Sequence, residues 1–378
     1  MQKKKGMRTM MQRNFAKGLA SILVVMLAPV FLAAVNGRTP DKPLDKTQVT
    51  GLVAGGVPSE RVAAIVGARG IDFRPTSQCL EELRRAGATQ MLIDTLRSAR
   101  VAVPVTRTNS SITKSDAAVE HGLTRGALLM RENRFRQAEE QFRRAEKYRP
   151  GDPFVHFALA YALSQQGKWG EAASEYRRVL LHSHDDPITR SNLALALSKS
   201  GDLDGAIQQY QLALVSIPGE AAVHNDLGVA LEKKGDQKDA VDEFRAALQR
   251  DPNNSQAHYN LGVALQAQGN LDQAIHEYRQ AISLKSACCD AEYNLGTALE
   301  KKGDWDGAIE AFRKTVSAKP NDALAHAGLA SALTGKDDYV EAGEEYRKAL
   351  RLAPNNAAIR EAYASLSRQT NLSGASHR

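Results

Sequence analysis

The sequence contains few cysteines and few aromatic residues. Only Cys79, Cys288 and Cys289 are present among 378 residues, and no pair has CxxC spacing. Adjacent cysteines form a strained ring when they pair with each other, and three cannot all pair within one chain. A disulfide framework and a cysteine-based zinc site are therefore excluded. Because aromatics make up 6% of the chain while alanine, leucine and glutamate recur, the composition favours helices over sheets.

Sequence patterns typical of enzymes are also absent. We find no glycine-rich phosphate loop after a strand, no GxSxG turn and no paired carboxylates in an apolar setting. The sequence therefore predicts a protein that is not an enzyme, with no catalytic residue, no cofactor and no bound metal.

Basic charge is concentrated at the start of the chain. The formal net charge is +7, but residues 1–37 contain six lysines and arginines and no acidic residue. The remainder then has 50 − 6 = 44 basic side chains against 43 acidic ones. No basic stripe is left to follow a phosphate backbone, so nucleic acid is excluded as a partner.

The basic start is followed by a mostly apolar run from Leu19 to Val35. This order is typical of an export signal, so we interpret residues 1–37 as a signal peptide and expect a periplasmic or secreted protein. In the alternative, residues 19–35 remain uncleaved and anchor the protein in the inner membrane. Pro29 interrupts the run, and its length is at the lower limit for a spanning helix. Contact with a membrane is expected only through this segment.

A 34-residue period fills most of the remaining chain. Seven segments follow one another without insertion: 119–152, 153–186, 187–220, 221–254, 255–288, 289–322 and 323–356. Counted from the start of each segment, position 24 is always aromatic: Phe142, Tyr176, Tyr210, Phe244, Tyr278, Phe312 and Tyr346. Positions 8 and 20 are always glycine or alanine, as expected where two antiparallel helices, here called A and B, approach closely. The pattern predicts seven stacked helical hairpins.

These columns resemble the tetratricopeptide repeat. The resemblance implies an all-α fold: a right-handed solenoid of seven helix-turn-helix repeats that holds a partner protein or peptide in a concave groove. Around the array we expect a small helical module at 48–100, a flexible linker at 101–118, a capping helix at 357–368 and a disordered tail at 369–378.

The resemblance also places helix A positions 2, 5, 6, 9, 12 and 13 along the groove. The candidate peptide-binding residues are Asn192, Asn225, Asp226, Tyr259, Asn260, Tyr293 and Asn294, together with Phe154, Phe157 and Tyr161 at an apolar end. Side-chain amides can pair with the backbone of any extended peptide. The row is similar to the asparagine ladder of O-linked N-acetylglucosamine transferases, whose activity does not carry over because no transferase domain follows. Alternatively, these asparagines only face water.

Two groups of histidines suggest metal ligands. His156, His224, His258 and His326 share position 4, but this position faces the packed side of helix A, and successive repeats are too far apart to share one ion. His182, His184, Asp185 and Asp186 form a denser cluster at a repeat junction. A metal- or small-molecule-binding envelope protein using this cluster is therefore the alternative to a non-catalytic scaffold in the cell envelope.

Overall fold

The computed structural model describes residues 43–101, 114–284 and 289–375, and the expected signal peptide or anchor lies outside these ranges. Within them the predicted all-α class is confirmed: nineteen helices are present and no strand longer than a single bridge. No helix in the described ranges is both long and apolar enough to span a membrane. Contacts divide the chain into a first unit that ends at Ser216 and a second unit that begins at Ile217.

The first unit begins with four short helices, which are α1 (Lys46–Ala54), α2 (Ser59–Arg69), α3 (Ser77–Ala86) and α4 (Gln90–Ser98). Each of the two helix pairs is followed by an extended residue, and Leu44, Ile71 and Val101 are joined by parallel bridges. Leu44 and Ile71 are buried together with one apolar side of each of α2 to α4, namely Val62, Ala63, Val66, Cys79, Leu80, Leu83, Ala86, Leu92, Ile93 and Leu96. The small helical module therefore has its own core and spans residues 43–101.

The first unit continues with three hairpins, whose helices are α5 (Lys114–Arg131), α6 (Phe135–Tyr148), α7 (Pro153–Gln165), α8 (Trp169–Leu180), α9 (Pro187–Ser200) and α10 (Leu203–Ser216). The module packs on the first of them, because α1 and α3 both contact α5. Lys46 forms ion pairs with Glu82 of α3, at 3.1 Å, and with Glu120 of α5. Arg131 of α5 donates to the carbonyl oxygen of Arg84 at 3.2 Å.

The second unit contains four hairpins and a final helix: α11 (Ala221–Lys234), α12 (Gln237–Arg250), α13 (Ser255–Ala267), α14 (Leu271–Leu284), α15 (Cys289–Lys302), α16 (Trp305–Ala318), α17 (Ala323–Gly335), α18 (Tyr339–Leu352) and α19 (Ala357–Ala375). Neighbouring helices pack in sequence from α11 to α19. Together with the hairpins of the first unit, this packing confirms an all-α solenoid.

Small and aromatic positions meet inside the hairpins. A β-carbon added at Gly262, at position 8, would lie 2.7 Å from the ring of Tyr278 at position 24. Gly228 and Phe244 are similarly close at 2.6 Å. The alanines at position 20, including Ala274, are fully buried. Four A helices end at glycines in the left-handed region, with φ between 82° and 103°: Gly201, Gly235, Gly269 and Gly303. The small residues at positions 8 and 20 thus determine the spacing of helices A and B, and the glycines after helix A determine the turn between them.

Two expected boundaries are wrong. Residues 114–118, assigned to the linker 101–118, already belong to α5, where Asp116 lies in the first turn and favours the helix amino terminus. Residues 369–375, assigned to a disordered tail, continue α19 beyond the expected end at 368. No proline interrupts this segment, so the helix extends.

Candidate interaction surfaces on the A helices

The A helices of the second unit form one continuous face. Helix α13 contacts α11 and α15, and α15 contacts α17, although a B helix separates each pair in the sequence. Positions 5, 9 and 12 of each A helix are one helical turn apart and share one side of the helix. We call this surface the inner face of the second unit. The residues discussed on it are Asn225, Asp226, Glu232, Tyr259, Asn260, Gln266, Tyr293, Asn294 and Glu300.

Two of the predicted groove asparagines are hydrogen-bonded within the protein. Asn260 donates through Nδ2 to Asn225 Oδ1 at 2.9 Å, and its own Oδ1 accepts from Gln256 at 2.9 Å. Asn225 in turn donates to Asp226 at 3.3 Å. Both amides are buried, with 4% of Asn260 and 9% of Asn225 exposed. The expectation that they face the groove is wrong, because position 6 of one repeat meets position 5 of the preceding repeat.

Tyr259, Tyr293 and Asn294 are more accessible to solvent than the two buried asparagines. Tyr259 packs on Tyr278 with ring centroids 6.2 Å apart, and Tyr293 packs edge-on against Phe312 at 5.5 Å. Asn294 donates to the Tyr259 hydroxyl at 3.1 Å. Burial raises the pKa of Tyr293 to about 12, so its hydroxyl stays protonated. These three side chains are half-buried and lie on the inner face, whereas Asn192 is half-buried on α9 of the first unit.

The structure adds two carboxylates that the residue-by-residue prediction missed. Burial raises the pKa of Glu232 to about 7, and within the described chain no side chain donates a hydrogen bond to its carboxylate. Glu300 accepts a hydrogen bond from the Ser331 hydroxyl, and burial also raises its pKa. Both stand at position 12, which the repeat pattern assigns to the groove. The repeat pattern does not show that these two carboxylates are partly buried, so neither was selected as a candidate.

The predicted apolar end of the groove is covered by the module. A β-carbon added at Gly51, Gly55 or Gly56 would lie 2.6 Å from Phe154, 2.2 Å from Phe157 or 2.5 Å from Tyr161, respectively. Helix α1 and the turn that follows it therefore lie directly on α7, and Gly51, Gly55 and Gly56 permit the close approach.

Phe157 is only 5% exposed, and its ring packs edge-on against Tyr176 at 5.7 Å. Burial also raises the pKa of Tyr161. Phe154, Phe157 and Tyr161, which were expected to anchor a ligand, therefore contact the protein's own module.

The hairpin geometry agrees with a family comparison. The sequence-family model described as Tetratricopeptide repeat matches residues 123–187, 191–255, 225–288, 259–323 and 293–357. The matched segments cover more than half of the chain. The chain belongs to the tetratricopeptide repeat family.

Solved tetratricopeptide structures resemble parts of the chain. MamA is 30% identical over 46% of this chain and 94% of its own, with a TM-score of 0.43. The C-terminal part of a repeat protein from Cytophaga hutchinsonii is 18% identical, covering 63% of this chain and 97% of its own, with a TM-score of 0.51. A repeat protein from Parabacteroides merdae is 16% identical, covering 66% and 99%, also with a TM-score of 0.51. The last two show the fold alone. No curated protein sequence matches this chain.

The position-4 histidines of the tetratricopeptide repeats hold the hairpins together. In His224, Nδ1 lies 2.6 Å from Glu243 Oε2 of helix B, and Nε2 lies 3.2 Å from the carbonyl oxygen of Pro218 in the preceding turn. The same arrangement, which we call the histidine clamp, is formed by His156, His258 and His326 with Glu175, Glu277 and Glu345. The prediction that position 4 faces the packed side is therefore confirmed.

The clamp at His224 should make the stability of the fold depend on pH. The hydrogen bond to Glu243 raises the pKa of His224 above its ordinary value, against the opposing effect of burial. The pair of His224 with Glu243 then stabilises the fold fully below about pH 6.5, and this contribution is lost as the pH rises through the higher folded pKa of His224. We expect His224→Gln to lower the free energy of unfolding by about 1–2 kcal/mol at acidic pH, with a smaller difference at alkaline pH.

Urea unfolding followed by circular dichroism between about pH 5.5 and 8.5 measures this effect. His276→Gln is the control, because His276 is exposed on α14 and takes no part in a clamp. An equal effect of His224→Gln at both ends of the pH range would show that protonation of His224 does not contribute to stability.

The His182–Asp186 cluster does not converge on a site. Asp186 caps α9 by accepting from the backbone nitrogen of Thr189 at 3.0 Å, and the carbonyl oxygen of His184 accepts from Arg190. In the described ranges, the one group of three potential ligand atoms within 4.8 Å is that of Glu146, His156 and Glu175. Arg178 already pairs with Glu146 at 3.0 Å and with Glu175 at 3.3 Å. No observation therefore favours the metal-binding alternative.

Proposed function

We propose that this protein is a non-catalytic scaffold of the cell envelope that holds an extended peptide segment of a partner protein on the inner face of the second unit. Family membership supports the scaffold role, since stacked repeats present long binding surfaces. The observation that carries the proposal is the pair of half-buried tyrosines with Asn294 on neighbouring A helices. Rigid aromatic rings beside amide groups are suited to bind an extended peptide.

The inner face of the first unit is a weaker candidate for a ligand. Helix α1 and the turn that follows it already contact Phe154, Phe157 and Tyr161. A partner peptide would have to displace the module and expose these rings to water. We therefore assign ligand binding to the second unit and an internal packing role to the three aromatic residues of α7.

Site-specific photo-crosslinking in cells tests the proposed surface. A photoreactive phenylalanine derivative is placed at Tyr293, on the inner face, and in a second variant at Arg279, which is exposed on α14. We expect one discrete cross-linked partner from the variant at Tyr293 and none from that at Arg279. The reverse result would place the partner on another surface and overturn the proposal.

We further propose that the protein is exported, on the basis of the six basic residues and the apolar run within residues 1–37. Cells that express the chain with a carboxy-terminal tag are fractionated, and the amino terminus of the recovered protein is sequenced. A shortened amino terminus in the periplasm or medium is expected. Membrane recovery with an intact start would instead support the anchor at 19–35, and recovery in the cytosol with an intact start would contradict both.

A further inference from the structure

Glu232 and Glu300 lack the basic partners that other carboxylates of the second unit have. Asp290 pairs with Lys319 at 2.7 Å and Glu341 pairs with Arg313 at 2.8 Å, while Glu243, Glu277 and Glu345 belong to histidine clamps. Among the residues that the structure describes, no basic side chain lies within 4.0 Å of the Glu232 or Glu300 carboxylate. The residues that follow them, Lys233 and Lys301, are exposed and attract the two carboxylates from beyond contact distance, which lowers the carboxylate pKa values against the larger effect of burial.

A partly buried carboxylate without a cation in contact is costly to keep ionised, and a cation from a ligand would relieve that cost. Among the side chains that the structure describes, the Ser331 hydroxyl alone donates to either group; it is neutral and bonds to Glu300. Both glutamates remain half-buried rather than enclosed. A side chain of a bound peptide can therefore reach them from the inner face.

A tyrosine ring lies on the same side of its helix as the Glu300 carboxylate, whereas the residue seven positions before Glu232 is Asn225. Tyr293 precedes Glu300 by seven residues on α15, and Tyr259 precedes Gln266 by seven residues on α13. Seven residues correspond to about two helical turns, so each pair shares a face. Arginine and lysine side chains favour contact with a tyrosine ring while their charged groups pair with a carboxylate.

The two glutamates are separated by two A-helix intervals, since α13 lies between α11 and α15. Packed helices are about 8–10 Å apart, which gives about 16–20 Å between the two positions. An extended peptide rises about 3.3 Å per residue, so this span corresponds to about five or six residues.

We infer that the inner face of the second unit selects an extended peptide with two basic side chains about five or six residues apart, bound by Glu232 and Glu300. This inference rests on the proposed function and specifies the chemistry of the ligand. Charge complementarity distinguishes this occupant from an acidic peptide, which would bring two further negative charges to the same surface.

Fluorescence anisotropy with synthetic peptides tests the inference on the full chain. The probe is a labelled glycine- and serine-based peptide of about twelve residues with two arginines six positions apart, and a matched peptide carries two glutamates instead. We expect the arginine peptide to bind at least about tenfold more tightly, and Glu232→Gln with Glu300→Gln to weaken it by about tenfold or more. Glu310→Gln is the matched control, because Glu310 is exposed on α16 and pairs with Lys314 at 2.8 Å.

The outcomes separate this inference from the proposed function. If the two peptides bind equally, or if the double variant binds the arginine peptide as well as the wild type does, selection by Glu232 and Glu300 is wrong. If neither peptide binds while cross-linking at Tyr293 still captures a partner, the basic ligand is wrong but the interaction surface stands. If cross-linking fails at Tyr293 as well, the proposed function falls with it.

Discussion

Phe157→Ala should lower the free energy of unfolding of the first unit by about 3–5 kcal/mol, the usual cost of truncating a buried phenylalanine. Phe157 is 5% exposed, and its ring lies between Gly55, directly after α1, and Tyr176 of α8. The change would therefore leave a cavity between the module and the second repeat. Chemical denaturation of the full chain, followed by circular dichroism and tryptophan fluorescence, measures the loss.

Tyr148→Ala is the control for this experiment, because Tyr148 is 56% exposed on α6 of the same unit. It should change stability by much less than Phe157→Ala. If Phe157→Ala unfolds like the wild type, helix α1 does not pack on the ring as the structure has it. The ring would then become available to a ligand, as the repeat pattern first indicated.

Ala274→Trp should destabilise the second unit by about 1–3 kcal/mol, with larger values if the backbone cannot adjust. Ala274 is fully buried on α14, in a hairpin where Gly262 and Tyr278 are already in close contact. A tryptophan at this position would push the two helices of the hairpin apart. For a unit of this size, each kcal/mol corresponds to roughly 2–4 °C in the melting temperature.

Gln273→Trp provides a matched control one residue away, since Gln273 is exposed on the same helix. It introduces the same side chain without crowding the interior. Equal melting temperatures for Ala274→Trp and Gln273→Trp would contradict the role assigned to the small residues at position 20.

The repeat pattern predicted the hairpins well because each depends on contacts between neighbours in the sequence. A glycine at position 8, an alanine at position 20 and an aromatic ring at position 24 meet within one hairpin, so their spacing along the chain contains most of the geometric information. The same holds for the histidine clamp, which joins positions 4 and 23 of one repeat.

The binding residues were predicted less well because their environment depends on neighbouring repeats and on the module. Asn260 was correctly placed on helix A, but only the structure shows that its amide bonds to Asn225 of the preceding repeat. Glu232 and Glu300 lie on the stripe that the pattern assigned to the groove. Their lack of basic partners depends on side chains from several helices, which no period along one chain specifies.

The sequence by itself determined the all-α class, the number and length of the hairpins, and the basic, apolar start of the chain, because these are local or periodic properties. The tertiary structure decided which faces of the A helices are covered by the protein itself and which remain accessible. Module residues Gly51, Gly55 and Gly56 lie about a hundred residues before Phe154, Phe157 and Tyr161. Non-repeating contacts of this kind leave no period in the sequence, so only the folded chain shows that the apolar end of the groove is filled by the protein's own helix.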